Sequence, residues 1–315
     1  MRFVTFSTND IPNPHLGMVQ NDEVLDIDLA GRALRLTVPD QLLELIENYD
    51  QVKEALEAIQ EKAAGRRFSQ VKTFTDAGAV HTLQEVKLTS PIPHPRKNIM
   101  CMALNYSEHA KETASLRGRP TTAAPEIPVL FTKATTTMNG PYDAFEIDPS
   151  VSTEIDWEVE LGVIIGKGGK NISQEDALSH VFGYTVINDI TARDLQSRHK
   201  QFFKGKSLDG SCPMGPWIVT TDEIEDPHNL ALRLRVNGEV KQDSNTSEMV
   251  FSIPVIIATL AAGMTLEPGD IIATGTPSGV GFSRTPPEFL KPGDVVEGEV
   301  EGIGTIRNSI TGVQK

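Results

Sequence analysis

The sequence predicts an α+β protein that is mostly β, with a small N-terminal domain in front of a larger catalytic domain. Short apolar segments with β-strand patterns dominate the chain after residue 90, and 25 glycines and 20 prolines supply turns between them. A length of 315 residues suits one large domain or two unequal ones. We expect domains at residues 1–90 and 91–315, divided at the proline-rich segment 90–97.

The first 90 residues are predicted to combine short strands with one long helix. Residues 1–6 and 18–29 alternate and carry turn residues, which is typical of short strands. Apolar residues at helical spacing predict a helix over residues 40–64, which Pro39 opens and Gly65 ends.

The larger domain is predicted to be rich in strands and poor in helices. Two helices are expected, at residues 106–116 and 252–262, and the turn sequences at 237–238 and 268–270 favour hairpins. The predicted strands cover residues 98–103, 128–132, 154–165, 182–188, 217–220, 230–236, 271–274 and 295–300.

Composition excludes several classes of function. The formal net charge is −14 and the sequence pI is near 5.0, which fits neither nucleic acid nor an anionic membrane as a partner. No apolar run is long enough to span a bilayer, and the first residues lack the apolar core of a secretory signal. Cys101 and Cys212 form neither a disulfide framework nor a zinc pattern, so we expect a cytoplasmic protein.

An acidic segment is the most informative part of the sequence. Acidic residues at 154, 156, 158 and 160 alternate with apolar ones, so in a continuous strand all four carboxylates would share one face. Such a strand is either an ordinary strand with a wet acidic face or a site for a divalent cation, which would relieve the repulsion between carboxylates. The residues alone leave both interpretations open.

Other polar residues follow apolar segments. Asp189 ends an apolar strand and is either a helix cap or a site residue. A basic cluster comes next, and it is either a solvated loop or a clamp for an anionic substrate. Its members are Arg198, Lys200, Lys204 and Lys206.

Two further motifs have both a functional and an ordinary interpretation. His109 and Glu112 are spaced i and i+3, so on a helix the carboxylate could orient the imidazole as a general base. A surface histidine beside an incidental glutamate is the commoner meaning of such a pair taken alone. The glycine-rich segment around Thr276 is either a plain turn or a binder of a carboxylate. It lacks the ending of a phosphate-binding loop, which argues against nucleotide binding.

Taken together and in this order, the motifs resemble those of the fumarylacetoacetate hydrolase superfamily, over about residue 90 to the end. The segment from Arg198 onward is most similar to the bacterial branch that contains oxaloacetate decarboxylase and acylpyruvase-type enzymes. The matching positions are Asn105, Tyr106, His109, Glu112, Asp156, Glu158, Glu160, Asn188, Asp189, Arg193, Gln196, Gly205, Lys206, Ser207, Gly275, Thr276, Gly302 and Gly304.

The resemblance implies a mixed β-roll fold, a homodimer and a set of roles for site residues. Mg²⁺ or Mn²⁺ would be held by Glu158, Glu160 and Asp189. His109 and Glu112 would form the catalytic dyad on a mobile lid over residues 107–125, and Lys206 would stabilise negative charge on the substrate. The substrate would also contact Arg193, Gln196 and Thr276.

The implied reaction is metal-dependent cleavage of the C3–C4 bond of a 2-oxo or 2,4-dioxo carboxylate, by decarboxylation of oxaloacetate or by hydrolysis of an acylpyruvate. Leu104 stands where several decarboxylase-like members carry a basic residue, which leaves room for a more apolar substrate. One alternative is an isomerase or hydratase of 2-hydroxy-alkadienoic diacids. A second alternative is a metal- and ligand-binding scaffold without turnover.

Overall fold

The computed structural model describes residues 1–9, 12–109, 112 and 125–313. These residues form mainly β structure, as predicted. The strands are β1 Arg2–Ser7, β2 His15–Gln20, β3 Glu23–Asp26, β4 Val80–Thr82, β5 Lys87–Leu88, β6 Ile99–Ala103, β7 Val129–Lys133, β8 Met138–Asn139, β9 Phe145–Ile147, β10 Ile155–Asp156, β11 Val159–Ile165, β12 Gly169–Lys170, β13 Val181–Asn188, β14 Thr191–Ala192, β15 Cys212–Thr220, β16 Ala231–Val236, β17 Glu239–Asn245, β18 Thr265–Leu266, β19 Ile271–Ala273, β20 Val295–Val300 and β21 Gly304–Gly312.

Helices are short and lie mostly in the N-terminal part of the chain. Asp26 caps the first of them by accepting a hydrogen bond from the Leu29 N–H, and Pro254 lies in the first turn of the last. Residues 107–109 and 112 are also helical. The other helices are α1 Ile27–Leu34, α2 Leu42–Glu47, α3 Tyr49–Lys62, α4 Lys72–Asp76, α5 Arg193–Arg198, α6 Phe203–Lys206 and α7 Ile253–Ala261.

One large mixed sheet organises the molecule. Its strand order is β4-β3-β2-β1-β15-β13-β11-β19-β6-β7, while β5 pairs with β1 and β8 pairs with β15. Most pairs are antiparallel, but β19 runs parallel to β6 and β15 runs parallel to β8. A second sheet has the order β17-β16-β20-β21-β9, and two small sheets join β10 to β14 and β12 to β18.

The large sheet is covered on both faces because alternate side chains of its central strands point in opposite directions. On one face, Leu161 and Val163 of β11 share a buried cluster with residues of the five-stranded sheet such as Leu234. On the other face, Ile164 and Ile187 share a cluster with residues of β1 and the N-terminal helices. The centre of β11 and β13 is therefore enclosed from both sides.

The predicted helix over residues 40–64 is interrupted. Asn48 separates α2 from α3, and both its backbone N–H and its side-chain amide donate to the Glu44 carbonyl oxygen. An asparagine side chain that competes for backbone carbonyls ends a helix locally. The apolar spacing continues across this break, so the pattern did not reveal it.

The predicted strand over residues 154–165 is also interrupted, between β10 and β11. The Trp157 N–H donates to the Asp156 carboxylate, and the Glu158 N–H donates to the Asn188 side-chain oxygen. These side-chain acceptors take the place of a strand partner. The expectation of one continuous face with four carboxylates was therefore wrong.

The turn at 268–270 does not form the expected hairpin. The strands on its two sides belong to different sheets, because β18 pairs with β12 whereas β19 pairs with β11 and β6. The turn at 237–238 does join a hairpin, formed by β16 and β17.

Residues 1–90 and the rest of the chain share the large sheet. β1 pairs with β15, with Phe3 opposite Ile218, and both residues belong to the same buried cluster. The division into domains at residue 90 stays a prediction.

Among the described residues, no helix combines the length and the apolar character that crossing a membrane requires.

Candidate active site

Three buried carboxylates meet where β11 and β13 lie side by side. The antiparallel register sets Val159 opposite Asn188, and one residue further on the Asp189 N–H donates to the Glu158 carbonyl oxygen at 2.8 Å. Glu160 follows on β11. One oxygen from each of these three side chains lies within 4.8 Å of the others, and none of the three residues is more than 5% exposed. The structure thus brings together the residues predicted to bind metal.

Glu160 shows most clearly that a cation fits this cluster. Its Oε2 accepts a hydrogen bond from the Gly275 N–H at 2.7 Å, whereas its buried Oε1 has no hydrogen-bond partner among the described residues. Burial, and then the negative charges of Asp189 and Glu158, raise the pKa of Glu160 well above its ordinary value. Ionised Glu160 therefore needs a compensating positive charge. This donor set fits a hard divalent cation, which prefers carboxylate oxygens.

Two buried cations flank Glu158. The Lys206 Nζ lies 2.7 Å from Glu158 Oε2 and 2.6 Å from Asp189 Oδ2, and the Arg193 Nη2 lies 2.6 Å from Glu158 Oε1. Burial alone would raise the pKa of Glu158, but the positive charges of Lys206 and Arg193 outweigh burial and hold this pKa well below its usual range. Burial disfavours the Lys206 ammonium, yet Asp189 and Glu158 together raise its pKa. Both groups are therefore charged at neutral pH.

A third buried cation, Lys133, was missed by the sequence analysis. It is fully buried at the end of β7, and its Nζ donates to Asp189 Oδ1 at 2.7 Å, to the Ile190 carbonyl at 3.1 Å and to Ser211 Oγ at 3.2 Å. A single lysine after an apolar strand carries no signal of this role. Only the pairing of the strands brings Lys133 to Asp189.

Asp156 lies apart from the carboxylate cluster and orients Arg193. Its fully buried carboxylate accepts from Arg193 Nε at 2.8 Å and from the backbone N–H groups of Gly281 and Phe282 at 2.6 Å and 3.1 Å. The Arg193 guanidinium also lies 4.3 Å from the centre of the Phe282 ring and donates to Gln196 Oε1 at 3.2 Å. The predicted substrate residues Arg193 and Gln196 are thus held in place together.

The proposed dyad is close together and largely buried. His109 is 6% exposed, and its Nδ1 lies 3.5 Å from Glu112 Oε2. Burial acts to raise the pKa of Glu112, but the neighbouring His109 imidazole and Ser283 hydroxyl lower this pKa overall, which keeps the carboxylate ionised. The rest of the predicted lid, residues 110, 111 and 113–124, lies outside the described residues, so the lid stays a prediction.

A cavity of about 50 Å³ connects most of these groups. Its polar wall contains six of the predicted site residues, namely His109, Glu158, Arg193, Gln196, Lys206 and Thr276. Its apolar wall consists of Met102, Ala103, Leu104, Phe131, Phe202 and Phe282. A wider groove of about 630 Å³ lies beside α3, and its described lining contains none of the predicted site residues. The small cavity is therefore the candidate active site.

Two predicted anion contacts differ from expectation. The Thr276 hydroxyl donates to the Val159 carbonyl at 2.8 Å and accepts from Gln242 at 2.8 Å, so it would have to exchange a bond to donate to a substrate carboxylate. In the basic cluster, only Lys206 is buried at the cavity. The three others are exposed and do not line it, and they are Arg198, Lys200 and Lys204.

The glycine-rich segment supports the cluster through its backbone. Gly275 has φ +97°, and its N–H holds Glu160. A Cβ at this position would lie 2.8 Å from the Asn105 Cβ, so glycine allows the backbone to approach. Further along, the Gly279 N–H lies 3.3 Å from the Glu112 carboxylate. The sequence indicated a binding loop here, but not that it binds the protein's own carboxylates.

The mixed β fold, with a buried carboxylate cluster beside a histidine–glutamate pair, is typical of a metal-dependent enzyme. The model of the fumarylacetoacetate (FAA) hydrolase C-terminal domain matches residues 98–311. The chain belongs to this family, which confirms the resemblance and the fold predicted from the motifs.

Relatives of two kinds are similar to the chain. Oxaloacetate tautomerase YisK of Bacillus subtilis (strain 168) is 46% identical over 97% of this chain and 99% of its own, and the mitochondrial oxaloacetate tautomerase fahd2 of Xenopus laevis is 40% identical over 98% and 90%. A crystal structure of maleylpyruvate hydrolase from Sphingobium sp. SYK-6, in complex with manganese(II) ion and pyruvate, has a TM-score of 0.75 and 30% identity over the full length of both chains. The expected kinship with enzymes of oxaloacetate and acylpyruvate chemistry is confirmed.

Proposed function

We propose that the protein interconverts the keto and enol forms of oxaloacetate or a closely similar 2-oxo carboxylate. The observation that carries the proposal is the trio Glu158, Glu160 and Asp189, with a buried unpartnered oxygen on Glu160, at a cavity that also contains His109. The names of the two tautomerase relatives support the choice of reaction.

The trio would hold Mg²⁺ or Mn²⁺, both of which suit carboxylate ligands. When bound, the cation supplies Lewis-acid polarisation of the 2-oxo group and so favours enolisation. Manganese in the complex of the Sphingobium hydrolase supports a divalent ion of this kind.

His109 is the proposed proton carrier. With Glu112 beside its Nδ1, the imidazole presents Nε2 as the nitrogen that removes the proton from C3. The electron pair of that C–H bond forms the C2–C3 double bond, and the C2 oxygen takes a proton from water while the protonated His109 returns its own proton to water, which completes the enol and restores the imidazole. The ammonium of Lys206 stabilises negative charge on this oxygen during the transfer.

Arg193 and Gln196 are the proposed contacts of a substrate carboxylate, and Thr276 would join them after exchanging one of its bonds. The apolar side chains that line the cavity include Leu104 in place of a basic residue. Burying further charged groups of a substrate against these side chains would cost free energy.

Cleavage of the C3–C4 bond is the second candidate, because it passes through the same enolate. The Sphingobium structure, named a maleylpyruvate hydrolase and complexed with pyruvate, favours it. In hydrolysis, His109 would deprotonate the water that attacks C4. In decarboxylation, the same region would return a proton to C3.

A substrate panel tests the proposal. Purified protein with Mg²⁺ or Mn²⁺ is given enol-enriched oxaloacetate, an acylpyruvate and a 2-hydroxydienoate, and the enol absorbance and pyruvate release are followed separately. We expect loss of the oxaloacetate enol to be accelerated more strongly than pyruvate release. Turnover of the 2-hydroxydienoate alone would instead identify an isomerase of alkadienoic diacids.

One pair of variants separates an enzyme from a scaffold. His109→Ala should slow enolisation by about 10²–10⁴-fold and leave metal binding unchanged. His199→Ala is the matched control, because His199 is exposed at the end of α5. Equal enol loss with wild type and His109→Ala would contradict the assigned proton carrier.

We also propose a cytoplasmic homodimer that acts on a small 2-oxo carboxylate and has neither nucleic acid nor membrane as a partner. The net charge of −14 supports the exclusion of polyanions. Light scattering after gel filtration measures the assembly directly, and a monomer mass would contradict the dimer.

A further inference from the structure

Each carboxylate of the trio has one oxygen occupied by a fixed donor of the protein. Arg193 Nη2 lies 2.6 Å from Glu158 Oε1, and the Gly275 N–H donates to Glu160 Oε2 at 2.7 Å. Lys133 Nζ donates to Asp189 Oδ1, also at 2.7 Å. The second oxygens of Glu158 and Asp189 both accept from Lys206 Nζ, at 2.7 Å and 2.6 Å, and the second oxygen of Glu160 has no hydrogen-bond partner among the described residues. A cation that takes the place of the Lys206 ammonium would therefore meet one oxygen of each side chain, three oxygens rather than six.

This restriction bears on the size of the cation. Mg²⁺ requires near-ideal octahedral coordination with short bonds and keeps several waters, so three single oxygens suit it. Ca²⁺ takes more oxygens at longer distances and often binds a carboxylate through both oxygens. Any substitution that frees a second carboxylate oxygen for the metal would thus favour Ca²⁺ over Mg²⁺.

Among the described residues, the polar contacts of Lys133 are only with protein groups that do not line the cavity. Its side chain is fully buried, and its three hydrogen bonds reach Asp189, Ile190 and Ser211. It does not line the cavity, in contrast to Arg193. All three protons of an ammonium group are then in use, which fixes its position.

We propose that Lys133 is a positioning residue that sets the size selectivity of the metal site by keeping Asp189 a single-oxygen ligand. The proposal rests on the proposed function only in that Glu158, Glu160 and Asp189 bind a divalent cation. It assigns the preference for a small ion to a side chain that touches neither substrate nor metal.

The test is calorimetric titration of the full-length protein with Mg²⁺ and Ca²⁺, without substrate. In Lys133→Met, Asp189 Oδ1 becomes free, and we expect the ratio of Ca²⁺ to Mg²⁺ affinity to rise by about tenfold over wild type. The matched control is Lys204→Met, which removes an exposed lysine of α6 and should leave the ratio unchanged.

Ser211→Ala is a milder second variant, because it removes one of the three acceptors of Lys133. We expect a smaller shift of the ratio in the same direction, and this variant decides the question if Lys133→Met does not fold. An equal change in both affinities would show that Lys133 acts only through its charge and would overturn the proposal. Absence of divalent binding in wild type would overturn the proposed metal site as well, whereas binding with unchanged ratios in the variants overturns only the role of Lys133.

Discussion

Glu158 and Glu160 are two residues apart on the chain, yet their surroundings shift their pKa values in opposite directions. Glu158 faces Lys206 and Arg193, whereas Glu160 has two carboxylates and a single backbone N–H beside it. The alternation of acidic and apolar residues predicted that both side chains lie on one face, and the family motifs predicted that both bind metal. Lys133 could not be predicted in the same way, because its contact with Asp189 joins segments 56 residues apart.

The opposite pKa shifts of Glu158 and Glu160 predict that removing each charge from the metal-free protein changes the free energy of unfolding in opposite directions. The raised pKa of Glu160 means that its ionisation destabilises the fold as the pH rises above the ordinary value of 4.5. In a chelator at neutral pH, Glu160→Gln should therefore be more stable than wild type, by about 1–3 kcal/mol. Urea unfolding across a pH series measures the free energy of unfolding.

Glu158→Gln is the matched comparison. The pKa of Glu158 is lowered, so its charge stabilises the fold above that ordinary value, and its removal should destabilise the protein at neutral pH. With saturating Mg²⁺, wild type should become more stable than Glu160→Gln, because only wild type gains the full binding free energy. A Glu160→Gln protein that is less stable than wild type in the chelator would contradict this account of Glu160.

At the level of elements, most central strands could be predicted from alternation and turn residues, whereas their interruptions could not. The break between β10 and β11 depends on side-chain acceptors from Asp156 and Asn188, and the break between α2 and α3 depends on Asn48. These residues leave the apolar pattern intact. The turn at 268–270 was recognised as a turn, but its neighbours pair with distant strands that no local signal identifies.

The segment after β19 carries a prediction of its own. Gly275→Ala should destabilise the protein by about 1–3 kcal/mol because of its positive φ, and it should also weaken Mg²⁺ binding, because its Cβ would push against Asn105 and displace the N–H that holds Glu160. Urea unfolding and calorimetry measure the two effects separately.

Gly293→Ala provides the control for backbone strain. Gly293 has φ +98°, and a Cβ there would meet no atom within 4 Å among the described residues. It should lower stability through backbone conformation alone and leave Mg²⁺ affinity unchanged. Equal Mg²⁺ affinities for Gly275→Ala and wild type would argue against the role of this N–H in the site.

The whole molecule depends on one sheet that crosses the predicted boundary at residue 90. Composition and the proline-rich segment suggested two units, but sequence patterns do not reveal that β1 pairs with β15. Nor do they reveal that Phe3 belongs to the same buried cluster as Phe182 and Ile218. The Phe3 and Phe182 rings are stacked, with their centres 5.9 Å apart. The N-terminal segment therefore completes the face of the sheet behind the site.

We expect a fragment of residues 91–315 to be insoluble or to lack a cooperative thermal transition. Without residues 1–90, β15 loses one of its paired strands, and large apolar side chains lose their cover, each at a cost of about 1.5–3 kcal/mol. Circular dichroism melting of the fragment beside the full chain measures this. A fragment that melts cooperatively near the temperature of the full chain would show two independently folding domains instead.

The most direct test of the metal-centred account is a crystal soaked in Mn²⁺ and measured for anomalous scattering. We expect one strong peak contacted by a single oxygen from each of Glu158, Glu160 and Asp189. A well-ordered site with these carboxylates and no peak between them at saturating Mn²⁺ would contradict it.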